Sequence, residues 1–181
     1  MRYVELGGGE GEETGLADPR FCLERLPALA AELPPGARAF ATNPGHYDLG
    51  GRRCVRDLLP FRVRRHGGVD VEIRFRHNRF ERDEDLLVRC TGVSGSNPDV
   101  LGGCDPASLG EVILYEVLPH PAGCTHEPAR RPGTLVVACR NLVAAWVPAG
   151  CPDAVPHGGT GPSGAADSGR GLRWAGDDPG S

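Results

Sequence analysis

The chain has 181 residues, with 20 basic and 24 acidic side chains, a formal charge of −4 and 39% hydrophobic residues. That length suits one domain, the negative balance argues against a nucleic-acid partner, and no run reaches the roughly 18 apolar residues of a membrane span. No apolar h-region opens the chain, so the expected compartment is the cytoplasm.

Residues 1–18 are rich in Gly and Glu and read as a flexible terminus. Asp18-Pro19 has the form of an N-cap followed by Pro at the first helical position. Phe21, Leu26, Leu29 and Leu33 then recur at roughly helical spacing. Pro27 predicts two short helical pieces or one kinked helix, and Pro34-Pro35-Gly36 ends it. Residues 40–49 read as a loop around the turn signal Asn43-Pro44-Gly45.

The clearest local feature follows. Residues 61–63 and 69–75 alternate apolar and polar side chains, the mark of half-buried strands. His66-Gly67-Gly68 between them suits a three-residue hairpin loop. The expected register sets Phe61 against Ile73 and Val63 against Val71 on the buried side, with Arg62 against Glu72 and Arg64 against Asp70 on the other. Further strands are predicted at 85–93, 111–118, 134–140 and 142–147, with a bulge or break at Asn141. Several strands joined by short polar connections define the expected fold as mainly β (α+β). That is an antiparallel β-sandwich or partial barrel with a short N-terminal helical segment over one edge or open face. The single domain is expected to span residues 19–147. Residues 148–181 are Gly, Pro, Ser and Asp with almost no apolar periodicity and read as a disordered tail. Its one apolar island, Leu172-Arg173-Trp174, is a candidate docking motif.

Seven Cys are spread along the chain. There is no CxxC pair, which removes the zinc-ribbon and thioredoxin readings, and an odd count without an export signal fits free thiols. Cys90 and Cys139 fall inside apolar strand patterns and read as small buried hydrophobes. Potential ligands concentrate at residues 120–127: His120, Cys124, His126 and Glu127. Imidazole, thiolate and carboxylate are the usual Zn²⁺ ligands, and His46 could complete the set if its loop meets this one. A Zn²⁺ so held could activate water for hydrolysis. The competing reading is a rigid connection in which these side chains serve the loop's own backbone; that structural use is preferred, and no cofactor is required. A Cys-His nucleophile pair using Cys124 or Cys54 with His46 or His126 has only residue type behind it.

Every basic residue is Arg, which reads partly as the imprint of a GC-rich genome. Residues 52–82 nevertheless hold ten Arg against four acidic residues. Arg62, Arg64, Arg74 and Arg76 are therefore candidate contacts for an acidic protein partner, set against alternating charge on a solvated sheet face. Aromatic residues do not interleave these Arg as a single-strand nucleic-acid platform would need.

The closing pattern Cys124-Thr-His-Glu127, Gly133-Thr-Leu-Val-Val-Ala-Cys-Arg140-Asn-Leu142 and Trp146 resembles the last strands of small bacterial β-domains, including immunity proteins of toxin–immunity systems. The resemblance implies a single-domain protein that binds another protein, and it transfers no catalytic residue. The leading expectation is thus a non-enzymatic protein-binding module. The alternatives are a small metal-dependent hydrolase or isomerase built on residues 120–127 and an accessory protein tethered by its tail.

Overall fold

The computed structural model describes residues 2–3, 20–48, 50–76, 83–96, 110–130 and 133–149. They form helices α1 (Arg20–Glu32) and α2 (Pro35–Ala41), a 3₁₀ turn at Pro44–His46, and strands β1 (Leu59–His66), β2 (Asp70–Arg76), β3 (Glu84–Ser96), β4 (Val112–His120), β5 (Gly123–Arg130), β6 (Gly133–Thr134) and β7 (Val137–Pro148). All pairings are antiparallel, in one sheet ordered β1-β2-β3-β7-β5-β4, with the short β6 beside β5. The fold is mainly β, as expected, and a single sheet makes it the partial barrel rather than the sandwich. The ends of the strand order meet at one rim. There Val112 donates to the carbonyl of Leu58 and accepts from the amide of Asp57, both at 2.8 Å.

Alternation in β2 has the consequence its pattern demands. Val71, Ile73 and Phe75 are buried while Glu72, Arg74 and Arg76 stay half-buried on the other face. With Leu86, Val88 and Cys90 of β3, Tyr115 and Val117 of β4 and Leu142 of β7, they form one core. Each such large apolar side chain contributes about 1.5–3 kcal/mol by leaving water.

The hairpin is present, but its register differs from the expected one by two residues. The pairs are Val63↔Ile73, Arg64↔Glu72, Arg62↔Arg74 and His66↔Asp70. Gly67 and Gly68 both take positive φ, 57° and 84°, which only glycine adopts at no steric cost. They therefore occupy the loop centre, and Val69 becomes a loop residue that is 57% exposed. Asp70 bonds to β3 instead of Arg64, accepting from the Gly92 amide at 3.0 Å. The ladder is irregular between Pro60 and Arg62, so Phe61 is not opposite Ile73 and lies 37% exposed on the outside.

Two other expectations change. Pro34-Pro35 ends α1 and also starts α2, with Pro at the first turn where its missing N–H is harmless; residues 37–41 are thus helical. At Pro27, of the two alternatives, the single helix is the one present. Asn141 does not interrupt β7: the β3–β7 register is continuous at Thr91↔Asn141, and its irregularity lies between Val93 and Gly95. The Asn141 side chain instead accepts from the Ala37 amide at 3.2 Å, satisfying one of the donors a helix N-terminus leaves open.

The helices sit on different surfaces. α2 lies against β7 so closely that a Cβ on Gly36 would fall 2.2 Å from the Leu142 carbonyl oxygen. From α1, Cys22 packs with Leu114 of β4, Tyr3 and Tyr47 in a second cluster. The expected flexible N-terminus is tied down at its start, because the amides of Arg2 and Tyr3 donate to the two oxygens of buried Glu116 at 2.5 and 2.6 Å. Of the expected tail 148–181, Pro148 belongs to β7 and the Ala149 amide donates to the Asp83 carbonyl; residues 4–19 and 150–181, with Leu172–Trp174, lie outside the described residues. No described helix is long and apolar enough to cross a membrane.

Candidate functional site

Residues 120–127 are not a loop. They close the β4–β5 hairpin, in which His120 pairs with Gly123 around Pro121-Ala122 and β5 continues to Arg130. Two-residue alternation then separates the candidate ligands. Cys124 pairs with Cys139 on the core side and His126 is fully buried there. Glu127 points to the opposite face, accepts from the Thr125 hydroxyl at 2.7 Å, and stands directly across from Glu116. His120 is exposed at the turn, where its Nδ1 accepts from the Ala122 amide at 3.1 Å. His46 belongs to the 3₁₀ turn and packs on Phe40, centroids 4.3 Å apart. The five residues are not brought together, and among the described residues no three His, Cys, Asp or Glu are grouped to hold a metal.

The thiols behave as packing groups. Cys22, Cys54, Cys90, Cys124 and Cys139 are free and buried, while Cys104 and Cys151 lie outside the described residues. Cys124 Sγ is 3.7 Å from Cys139 Sγ. This contact and then burial push the Cys124 thiol far up from its ordinary range, which works against the thiolate that a nucleophile or ligand requires.

The arginines divide by partner. Arg74 is committed: its Nε and Nη2 both reach Oδ2 of buried Asp85 at 2.7 Å. Arg62, opposite Arg74, and Arg64, opposite Glu72, are exposed on β1, one of the two end strands of the sheet. Arg76 lies over the ring of Phe61 at 4.1 Å, and Arg62 approaches the same ring at 5.5 Å. An exposed aromatic side chain at the sheet edge thus has two guanidinium groups over its ring, held by cation–π attraction. Sequence reading missed Phe61 because regular alternation places it inside; only the break in the ladder turns it out.

A second site lies inside the curl. Phe40 of α2 is surrounded by rings: His46 at 4.3 Å, Tyr115 at 5.8 Å and His126 at 6.1 Å. Tyr115 and His126 stack on each other at 4.8 Å with planes 12° apart, and Phe75 contacts both edge-on. Burial pushes His126 down to about 3 against a small opposing pull from Glu127. Burial likewise pushes His46 down to about 4, against a bond to the Phe40 backbone. Both imidazoles are neutral at pH 7. On the solvent side of Phe40 a groove of about 380 Å³ opens between α2 and β7, its walls including Pro35, Ala39, His46, Val143 and Trp146. Tyr115 and Trp146 could have been flagged from sequence, since a Tyr or Trp inside an apolar strand carries a polar tip that needs a partner.

Comparison with protein-family models, with curated proteins and with solved structures finds no match to this chain.

Proposed function

We propose that the chain is a non-enzymatic binding module that captures an acidic protein segment along β1. The observation that carries this reading is the exposed Phe61 on an end strand of the sheet, with the Arg62 and Arg76 guanidinium groups over its ring. Aromatic and Arg side chains are the residues most enriched among energetic anchors of interfaces. An outer strand also offers main-chain groups to an added strand, and Arg64 extends the positive edge. A chain of net charge −4 that concentrates Arg here would steer an acidic partner to this edge. An immunity-type role in the cytoplasm is the specific form of the proposal, and a toxin gene adjacent in the genome would support it.

The test uses the full chain as bait in an extract of its source cells, beside a variant carrying Arg62→Glu, Arg64→Glu and Arg76→Glu. Arg74 is left intact because its reversal would set a second carboxylate against buried Asp85. A specific partner is expected with the wild type and lost with the variant, while Phe61→Ala alone weakens capture by about tenfold or more. Equal recovery by wild type and triple variant overturns the reading.

A further inference from the structure

We propose that the interior of the half-barrel is a binding site for a small neutral phenol, which enters through the groove between α2 and β7 and takes the place of the Phe40 ring. The starting observation is a set of polar atoms that the fold buries and leaves unmatched. Both ring nitrogens of His126 and the hydroxyl of Tyr115 are inaccessible to solvent and have no hydrogen-bond partner among the described residues. The two side chains are 0% and 2% exposed, and they stack directly on one another. Buried polar groups are paired in the great majority of cases, because each one left unpaired forfeits a bond it makes to water in the unfolded chain. Two adjacent residues left in this condition mark a place where something outside the chain completes the bonding.

Phe40 stands between this pair and the groove. Its ring contacts those of Tyr115, His126 and His46, and it also lines the groove, which Tyr115 and His126 do not. Swinging its ring into the groove opens a space of one aromatic ring beside the rings of Tyr115 and His126, whose centroids lie 5.8 and 6.1 Å from its own. The chemistry of those atoms then selects the occupant. A neutral imidazole has one donor and one acceptor nitrogen, and a tyrosine hydroxyl both donates and accepts. Their smallest common complement is another hydroxyl. A charged ligand would lose its hydration among aromatic walls, at a prohibitive desolvation cost. The remaining walls, Phe75 and Tyr115, offer ring faces and edges, so a flat aromatic body fits where Phe40 was. A phenol matches the ring that it displaces and adds the one group the site lacks.

The experiment titrates p-cresol and its near-isostere p-xylene into the full chain by calorimetry and by ¹H–¹⁵N spectra. The titration is repeated with His126→Phe and with Tyr115→Phe, which removes only the hydroxyl. Saturable p-cresol binding is expected, moving the Trp146 indole and Phe40 amide resonances and at least about tenfold tighter than p-xylene. In His126→Phe that preference should shrink to about twofold or less. If this variant does not fold, Tyr115→Phe is the deciding case, and its preference should fall at least about threefold. No saturable p-cresol binding, equal affinity for the two ligands, or a preference unchanged in the deciding variant overturns the proposal.

Discussion

Acidification from pH 7 to pH 4 is expected to remove about 6 kcal/mol of folding stability through two histidines alone. His126 and His46 are held down to about 3 and about 4 in the folded chain, mainly by burial. In the unfolded chain each returns to its ordinary value near 6.5. A folded pKa below the unfolded one means that the unfolded chain binds the proton first. The full contribution is therefore present above about pH 6.5 and falls as the pH drops, at about 1.4 kcal/mol per pH unit for each histidine. The loss levels off near pH 4 for His46 and near pH 3 for His126. Domains commonly have only about 5–15 kcal/mol in total, so this is enough to unfold a weak one.

The clean measurement compares wild type with His126→Phe in urea at pH 7 and pH 5, a window mostly above carboxylate titration. The variant's advantage should widen by about 2 kcal/mol between the two. It should also be the more stable protein at pH 7, since replacing two unpaired buried nitrogens by an apolar ring of similar shape relieves about 1–3 kcal/mol. An advantage that does not change with pH would show that His126 protonates freely in the folded state.

Gly36→Ala is expected to destabilise the fold by about 3 kcal/mol, against its intrinsic tendency. Gly36 lies in the first turn of α2, and in an exposed helix interior Gly→Ala gains roughly 1 kcal/mol. Here a Cβ would fall 2.2 Å from the Leu142 carbonyl oxygen and 3.1 Å from both Asn141 Oδ1 and Val143 Cγ2. The nearest obstacle is main chain in the middle of β7 and cannot turn aside. The helix must lift instead, which also stretches the Ala37–Asn141 bond and pulls Phe40 from the core. Steric overlap therefore outweighs helix propensity. Chemical denaturation should show a lower midpoint, and the amide of Ala37 should exchange with solvent faster. A variant as stable as the wild type would mean that α2 does not press on β7. The same contact logic applies at Gly123, whose added Cβ would meet the Arg140 carbonyl oxygen at 2.2 Å.

Local pattern by itself determined a good part of this protein. Alternation at residues 69–75 named Val71, Ile73 and Phe75 as the buried face of a strand, and two consecutive glycines named the hairpin. Both follow from forces that act within a few residues: the two-residue period of a strand and the steric freedom of glycine. Tertiary structure decided the rest. β5 was not legible because Thr125-His126-Glu127-Pro128 has weak strand propensity and no apolar alternation. It becomes a strand because β4 lies along one side while β7 and then β6 pair with the other. Pro128, which has no N–H to give, falls between the β7 and β6 pairings. That pairing also dismantled the cluster at residues 120–127, since opposite faces of one strand received Glu127 and His126. The hairpin register lay beyond local reading as well, because Asp70 is claimed by Gly92 of β3, 22 residues away in sequence. Neither candidate site could be assembled from pattern alone. Phe61 becomes an outward aromatic only through a break in the ladder, and Phe40 meets Tyr115 and His126 only when α2, β4 and β5 close around one core. Residue types and their period are local properties, whereas partners, register and the burial of a polar group are set by contacts between distant segments.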